Sequence, residues 1–438
     1  MSIHPFRRVA AGPLAAGDPR RAGPELARVA TSRPGPRGPE APDEGGGAGP
    51  GRLAPAAILA LGTFAIGAEG FMIAPLLPTM AEDFGLSVPA TASLVVAFTL
   101  ALALSSPLST ALTGALNRRT VLLLAMGVFT AANLAAALGP GFWGLMGARI
   151  AMAVCAGLYV PAANALAGAL AGPARRGRAL GIVSGGMTLA IALGLPLGAA
   201  VGHAFGWRAT FLGVAVLGAA AFGGIFAGIR AEGGRGLPAA GLAERLGVAR
   251  QAPVRRLLAI TLMWSIGAYE TYPYIAAWLS RALGFEAAAI GWTVSMWGAF
   301  AAAGVLCGGA LNDRHGSNRV ARASLAALAV AYLALAAAAE TPQPQATPLA
   351  LGAIALWGFA VWSFFPAQMA RLVAAGPAGQ APVALALNTS TMYFGFSLGS
   401  ALGAAALGAQ ALWAIGLIAA AAELAALALD ARLVRSRQ

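Results

Sequence analysis

The sequence predicts an all-α integral membrane protein with twelve transmembrane helices in two pseudo-symmetric six-helix bundles. Three observations predict this fold class: an apolar composition, apolar segments of bilayer length, and arginines confined almost entirely to alternate loops. Of the 438 residues, 58% are hydrophobic and 10% are charged, whereas a soluble domain carries about 25% charged residues. So few charged side chains cannot cover the surface of a water-soluble protein of this length.

Apolar segments follow one another along the chain, and each is near the length of about 20 residues that a helix needs to cross a bilayer. We place the spans at 54–79, 90–113, 120–139, 142–170, 178–203, 207–229, 256–281, 288–311, 319–339, 348–374, 380–407 and 409–430. Residues 1–52 are rich in Arg, Pro and Gly, and we expect a disordered cytoplasmic tail without a cleavable signal peptide. Residues 230–254 form a polar central loop, and residues 432–438 form a second cytoplasmic tail.

The positions of the basic residues along the sequence indicate the membrane topology. All 29 are arginines. Apart from Arg149, which lies inside span 4, they lie in the tails, in the central loop and at every second short loop, and only Arg208 and Arg281 fall on the opposite side. This is the positive-inside pattern, which predicts that both termini are cytoplasmic. The net charge of +13 is therefore a topology signal, and we expect no nucleic-acid partner.

The two sets of six spans, residues 53–229 and 255–431, share short glycine-containing motifs in the same order. The pairs are Gly114-Ala115-Leu116-Asn117 with Gly309-Ala310-Leu311-Asn312, Ile66-Gly67-Ala68 with Ile266-Gly267-Ala268, and Gly194 and Gly198 with Gly399 and Gly403. Their nearly constant spacing indicates a duplicated six-helix unit. Two such halves usually hold a substrate site at their interface near the bilayer midplane, and rocking of the halves alternates access to it.

Four segments carry a resemblance to a known family. The eighth span ends in Gly309-Ala310-Leu311-Asn312-Asp313-Arg314-His315-Gly316, Arg149 lies in the fourth span, Gly194-Leu195-Pro196-Leu197-Gly198 interrupts the fifth, and Glu69 lies in the first. Together they resemble the major facilitator superfamily, in its twelve-span drug/proton antiporter branch, over residues 55–430. The resemblance implies the major facilitator fold and proton-driven efflux.

The resemblance also implies gating positions, which are Gly114, Asn117, Arg118, Gly194, Pro196, Gly198, Gly309, Asp313 and Arg314. Asp313 would cap a neighbouring helix or pair with an arginine. In the first half Asn117 or Arg118 replaces the acidic residue, so a cap remains available there but the negative charge is lost. The glycines and proline of span 5 would form a hinge or seal. An ordinary surface turn and generic helix packing are the alternatives.

Two carboxylates lie near the middle of spans, Glu69 in span 1 and Glu270 in span 7, and we expect both to line the central cavity. Ionisable groups at this depth are costly and are usually functional. We therefore predict that Glu69, Arg149 and Glu270 couple transport to protons, as the resemblance also implies for Glu69 and Arg149. The alternatives are a packing role for the glutamates and a snorkelling Arg149. Glu423 in span 12 is expected to have an interfacial or packing role.

Aromatic and polar side chains of the second half are candidates for the substrate pocket. They are Tyr269, Tyr272, Trp357, Trp362, Asn388 and Tyr393. Such a set suits an amphipathic or aromatic small molecule, although aromatic residues in spans also form interface belts and helix packing.

The combined expectation is a secondary active transporter that exports a small amphipathic drug or metabolite in exchange for protons. A proton-coupled importer of a sugar, nucleoside or osmolyte is the nearest alternative, followed by a membrane-embedded enzyme or a sensor. The histidines His4, His203 and His315 are scattered, and no catalytic set, metal site or phosphate loop is present. We therefore expect no enzyme activity and no cofactor other than the proton gradient, and a monomer that spans the bacterial inner membrane many times.

Overall fold

The computed structural model describes residues 53–113, 116–139, 141–230, 242–376 and 380–435, and every regular element in these ranges is a helix. The predicted tail 1–52, the predicted gating residue Gly114 and residues 231–241 of the central loop lie outside the described residues.

The described residues contain helices at all twelve predicted spans, which we number in chain order. Their bounds are Ala54–Met72, Ala74–Leu76 and Leu77–Phe84 for span 1; Val88–Thr91 and Ser93–Leu112 for span 2; Arg118–Ala137 for span 3; Gly141–Ala171 for span 4; Arg176–Leu189, Ala190–Gly194 and Leu195–Phe205 for span 5; Trp207–Gly228 for span 6; Ala252–Thr271, Tyr272–Tyr274 and Ile275–Leu283 for span 7; Ala287–His315 for span 8; Ser317–Glu340 for span 9; Ala346–Ala375 for span 10; Ala381–Gly408 for span 11; and Leu412–Arg435 for span 12. A short helix, Leu242–Arg250, precedes span 7.

Ten of these spans are long and apolar enough to cross a membrane by length and composition alone. The other two, spans 7 and 11, are long enough but more polar. Span 7 contains Arg255, Arg256 and Glu270, and span 11 contains Asn388 and several hydroxyl side chains. Glu270 and Asn388 are buried inside the helix bundle, so their polarity is hidden from lipid, as expected for ionisable and amide groups at membrane depth.

Several predicted boundaries are too short. Span 1 continues to Phe84, where Gly85 ends it in the left-handed conformation with φ of 63°. Span 7 begins at Ala252, so the last residues of the predicted central loop 230–254 are helical. Span 12 runs to Arg435, into the predicted tail 432–438. Spans 7 and 12 extend in this way because arginines at their ends are tolerated where the chain leaves the apolar layer.

The two halves use the same helix pairing, which supports the duplication predicted from the sequence. In the first half span 1 packs on spans 5 and 6, span 4 packs on spans 2 and 3, and span 3 packs on span 6. In the second half span 7 packs on spans 11 and 12, span 10 packs on spans 8 and 9, and span 9 packs on span 12. Each contact of one half therefore has its counterpart six spans later.

The glycine motifs that reveal the repeat in the sequence perform equivalent packing. A Cβ added at Gly194 of span 5 would lie 2.9 Å from the Cα of Ala68 in span 1. A Cβ at the matching Gly399 of span 11 would lie 2.2 Å from the carbonyl oxygen of Ile266 in span 7. Both spans can approach their partners this closely only because the side chain is absent.

The halves meet along two long seams and at one end. Span 2 packs on span 11, and span 5 packs on span 8. At the end of the bundle that holds Gly85 and Gly284, which the arginine pattern predicts to be extracellular, the outer parts of spans 1 and 7 also contact each other. Here the Tyr272 hydroxyl donates to the carbonyl oxygen of Phe71 at 2.7 Å.

Candidate functional site

The centre of the candidate site is an ion pair between spans 1 and 4. Nη1 of Arg149 donates to Oε1 of Glu69 at 2.6 Å, and both side chains have 0% of their surface exposed. Two isolated charges at this depth would be very costly, and pairing reduces that cost. The two intramembrane charges singled out in the sequence are therefore partners.

Span 2 holds the Arg149 side chain in place. Nε of Arg149 donates to the carbonyl oxygen of Leu94 at 3.2 Å. The guanidinium carbon lies 4.5 Å from the centroid of the Phe98 ring, a cation–π distance that stabilises a desolvated cation. Arg149 is thus buried and oriented from two sides, so the alternative of a snorkelling arginine does not apply in this conformation.

The ion pair retains unused hydrogen-bonding capacity. Oε2 of Glu69 and Nη2 of Arg149 are both buried, and neither has a hydrogen-bond partner among the described residues. Buried polar atoms without partners are rare in stable structures and call for an explanation, such as a functional role or an unseen ligand. One acceptor and one donor are therefore free at the same place.

The second half contributes two phenols to this site. Tyr269 of span 7 interacts electrostatically with Glu69 and Arg149, and Tyr393 of span 11 interacts electrostatically with Glu69. Spans 1 and 4 belong to one half and spans 7 and 11 to the other. The charged pair consequently lies at the interface between the halves, which is where paired-repeat transporters bind their substrates.

A series of aromatic rings extends from the phenols. Tyr269 stacks on Phe396 with a centroid distance of 3.8 Å and lies 5.3 Å from Tyr272. Phe71 of the first half contacts Tyr272 at 5.9 Å and Trp362 at 5.8 Å. These edge-to-face and stacked rings provide an apolar, polarisable surface beside a charged pair.

Four of the six predicted substrate residues, Tyr269, Tyr272, Trp362 and Tyr393, therefore lie near the charged pair or in this ring series. The sequence interpretation missed Phe71, Phe98 and Phe396, although their burial in spans 1, 2 and 11 agrees with an aromatic site. Phenylalanine is so common in membrane spans that only the contacts distinguish these three from ordinary packing residues.

The other two predicted substrate residues are engaged elsewhere. Trp357 is fully buried and packs against Trp297 and Tyr332 within the second half. The side-chain oxygen of Asn388 accepts a hydrogen bond of 2.6 Å from the Thr261 hydroxyl. Their predicted role in substrate binding stays a prediction, and this conformation gives both side chains structural partners instead.

Glu270 does not face the first half as expected from the sequence. Its carboxyl group lies by the backbone of Ala419 in span 12 and is an electrostatic neighbour of Tyr332 in span 9. The reason is the helical period, since consecutive residues point about 100° apart. With Tyr269 directed at Glu69, the next side chain must point into its own half. Tyr269, and not Glu270, is the counterpart that meets Glu69.

The predicted gating loops differ between the halves. Asn117 caps span 3, because its side-chain oxygen accepts from the backbone N–H of Arg119 at 2.9 Å. Arg118 is buried, and its Nη1 donates to the carbonyl oxygen of Thr113. The Asn117 side chain thus provides the helix cap that the sequence predicts for this half.

In the second half, Asp313 and Arg314 are exposed in the last turn of span 8, near Gly309. The following helix starts after Gly316 without a side-chain cap. Asp313 therefore does not form the expected cap in this conformation, because span 8 continues past it to His315 and places it on the outer surface of the helix.

Span 5 is interrupted where its motif predicts an interruption. A π-helical turn, Ala190–Gly194, precedes Pro196, which lacks the N–H needed to continue the helical hydrogen bonds. A Cβ at Gly198 would lie 2.5 Å from the Cβ of Met72 in span 1. On the other side, the Ala192 carbonyl and Pro196 face Gly298 of span 8. The interruption thus touches both halves, as a hinge or seal would.

A charge cluster in the second half was missed by the sequence interpretation. The buried Asp430 of span 12 forms ion pairs with Arg371 of span 10 and Arg322 of span 9. Nη1 of Arg371 also donates to Gln368 at 3.2 Å, and Gln368 donates to Thr261 of span 7 at 2.9 Å. The sequence analysis used Arg322 and Arg371 only as indicators of topology. The one sequence signal for their partner was the acidic residue Asp430 near the end of span 12.

Comparison with known proteins agrees with this architecture. The sequence profile of the Major Facilitator Superfamily matches residues 59–272 and again residues 256–437. Over 347 residues the chain is 28% identical to the MFS-type transporter YbcL of Bacillus subtilis (strain 168), which covers 79% of this chain and 87% of that protein. Over 377 residues it is 30% identical to the chloramphenicol resistance protein of Streptomyces lividans, which covers 85% of this chain and 95% of that protein.

Solved structures show the same fold at low sequence identity. A bacterial homologue of the human lysosomal transporter Spinster, in an inward-facing and occupied conformation, matches with a TM-score of 0.70 at 18% identity, covering 89% of this chain and 98% of that one. The human organic anion transporter MFSD10 matches with a TM-score of 0.66 at 16% identity, covering 87% of this chain and all of that one. The chain therefore belongs to the major facilitator superfamily and is a multi-pass membrane transporter of small molecules, not an enzyme.

Proposed function

We propose that this transporter exports a small amphipathic drug or metabolite from the cytoplasm in exchange for protons. The observation that carries the proposal is the Glu69–Arg149 pair, which is fully buried at the interface between the halves and keeps one acceptor and one donor atom without partners. Intramembrane ionisable groups of this kind commonly mark proton or substrate pathways.

The proposed coupling is competition at Glu69. In the described conformation the Glu69 carboxylate is held by Arg149, which keeps the pair charged in the absence of a proton. When the site opens to the more acidic side, a proton binds to Glu69 and the attraction to Arg149 is lost. A substrate that occupies Oε2 of Glu69 or Nη2 of Arg149 from the opposite side displaces the proton, so that the two are exchanged.

The aromatic rings support an amphipathic substrate. Phe71, Tyr269, Tyr272 and Trp362 contact one another in a series beside the charged pair, whereas a site for sugars is expected to offer many more hydrogen-bonding side chains. The similarity to a chloramphenicol resistance protein adds a first candidate, a neutral amphiphile with an aromatic ring and hydroxyl groups. We propose this class for the present chain.

The direction of transport separates the proposal from its nearest rival, a proton-coupled importer. The Gly/Pro interruption of span 5, which touches span 1 and span 8, supports export through its resemblance to the antiporter motif. The arginine pattern supports an orientation with both termini in the cytoplasm and the Tyr272–Phe71 contact on the outer side. The bacterial relatives support a location in a bacterial inner membrane. In this orientation the described conformation is closed to the outside.

The test uses the purified full-length chain in proteoliposomes with an imposed pH gradient and an internal pH dye. Chloramphenicol is the first probe, followed by a panel of cationic and neutral amphiphiles. We expect the probe to trigger proton movement opposite to its own flux, and Glu69→Gln to reduce this movement to background. Glu82→Gln is the matched control, because Glu82 lies in the same span but is exposed near its outer end.

Three outcomes would contradict the proposal. Proton and probe moving in the same direction would identify a symporter. Probe transport without proton movement would remove proton coupling. Unchanged coupling in Glu69→Gln would remove Glu69 from the mechanism, even if the other observations held.

A further inference from the structure

A second group of buried carboxyls lies in the other half, away from Glu69. Span 7 packs on span 12 there. A Cβ added at Gly267 would lie 2.8 Å from Oε1 of Glu423 and 3.0 Å from the carbonyl oxygen of Ala419. One helical turn further along span 7, Glu270 lies by the backbone of the same Ala419. The two glutamates thus occupy neighbouring positions along a single helix–helix contact.

Both carboxyl groups are buried, and neither forms an ion pair or a side-chain hydrogen bond among the described residues. Glu270 and Glu423 have 0% of their surface exposed, and none of their four carboxyl oxygens has a hydrogen-bond partner among the described residues. The role in packing that the sequence suggested for Glu423 does not account for these atoms, because a glutamine or an apolar residue would fill the same space without a buried acid.

Among the described residues, no arginine forms an ion pair with either carboxyl group. Tyr332 of span 9 is an electrostatic neighbour of both carboxyls, and Tyr274 of span 7 is a neighbour of Glu270. Two arginines of neighbouring spans, Arg322 and Arg371, are paired with Asp430, two turns further along span 12. An uncompensated carboxylate in such a place costs several kcal/mol, so the neutral acid is the less costly form of both groups here.

We propose that Glu270 and Glu423 form a second proton-binding site, which loads and releases protons within the second half independently of the Glu69–Arg149 pair. This proposal deepens the proton coupling proposed above, because it adds a site to the same cycle. Its test needs no transported substrate, so its failure can be told apart from the failure of that function.

The position of Glu270 connects the site to the contact between the halves. Two residues after Glu270, span 7 changes to the 3-10 turn Tyr272–Tyr274, and Tyr272 makes the hydrogen bond to Phe71 across the interface. A charge formed on Glu270 would draw water toward the span 7–span 12 contact and strain this turn. Proton release would therefore favour separation of the outer ends of spans 1 and 7.

The test is infrared difference spectroscopy on the purified full-length protein, stepped between acidic and alkaline buffers that contain no sodium. The carbonyl stretch of a protonated carboxylic acid reports each acid that gains or loses a proton. We expect Glu423→Gln and Glu270→Gln each to remove about one titrating carboxyl per protein, and Glu69→Gln to leave these two signals in place. Tyr332→Phe keeps both acids and is expected to shift the pH midpoint of their titration.

The outcomes decide the proposal even if one variant folds poorly, since Tyr332→Phe tests the same site with both acids present. Loss of the assigned signals, with monodisperse protein in detergent, supports it. Acids that stay protonated at every pH at which the protein is folded would overturn it and leave a structural role. A signal that responds to added sodium at constant pH would overturn it in favour of a metal-cation site, and loss of all titration in Glu69→Gln would overturn the independence of the two sites.

Discussion

The hydroxyl of Tyr272 donates a 2.7 Å hydrogen bond to the carbonyl oxygen of Phe71 and so joins the interruption of span 7 to the interruption of span 1. The acceptor is available for a sequence reason. Pro75, four residues after Phe71, has no N–H with which to complete the helical hydrogen bond. One half of the protein therefore satisfies a backbone group that the other half leaves open.

Replacing this hydroxyl tests whether the contact holds the outer end closed. We expect Tyr272→Phe to destabilise the described conformation by about 1 kcal/mol, or about a fivefold change in population. The measurement is the distance between spin labels at Leu86→Cys and Glu286→Cys, which are exposed at the outer end of the two halves, in a Cys155→Ser/Cys307→Ser background. Longer distances should become more populated.

The matched control for that experiment is Tyr274→Phe. It removes a hydroxyl from the same 3-10 turn, but Tyr274 donates to Ser400 within its own half. Its distance distribution should stay close to that of the unmodified background. Equal distributions in both variants would mean that the hydrogen bond between Tyr272 and Phe71 does not influence opening.

The Glu69–Arg149 pair predicts a non-additive stability pattern. Arg149→Gln leaves a buried carboxylate without its partner, and breaking a buried pair in this way costs about 3–5 kcal/mol. Glu69→Gln leaves the guanidinium with its Leu94 and Phe98 contacts and should cost less. The double variant should be more stable than Arg149→Gln alone, as measured by thermal unfolding in detergent. Additive losses would show that the two charges do not interact.

Close packing of span 5 on span 1 predicts that a single methyl group is harmful. Gly194→Ala would force a Cβ to 2.9 Å from the Ala68 backbone, and we expect a loss of about 1–3 kcal/mol together with loss of transport. We expect Gly399→Ala to cause a similar loss in the second half, because its Cβ would collide with the carbonyl oxygen of Ile266. Gly185→Ala is the control, because open space surrounds that position in span 5. Equal thermal unfolding temperatures for Gly194→Ala, Gly399→Ala and Gly185→Ala would contradict the packing argument.

The sequence predicts the helices and the duplication well, because both depend on patterns that extend over many residues. Glycines such as Gly194 and Gly399 already mark equivalent positions in the two halves, and the structure places them in equivalent contacts. The sequence also identifies Glu69 and Arg149 one by one. Their opposite charges at membrane depth are a signal for pairing that the interpretation did not use.

Side-chain direction is the part that the sequence predicts poorly. The repeat Ile-Gly-Ala is followed by Glu69 in the first half, but by Tyr269 and then Glu270 in the second. One additional residue turns a side chain by about 100°, and this decides whether it meets the opposite half or lies inside its own. The sequence analysis expected both glutamates to line the central cavity, whereas in this conformation Glu270 lies against span 12, on which span 7 packs.

The Asp430 cluster gives a last prediction, because it contrasts with the motif aspartate Asp313. Asp430 is buried and pairs with Arg371 and Arg322, whereas Asp313 is exposed and forms no cap. Asp430→Asn leaves the buried Arg371 without its counter-charge, so we expect a clear fall in the thermal unfolding temperature. Asp313→Asn should leave that temperature unchanged and alter only transport, if its contacts form in another conformation. A destabilised Asp313→Asn together with a stable Asp430→Asn would contradict this contrast between the two aspartates.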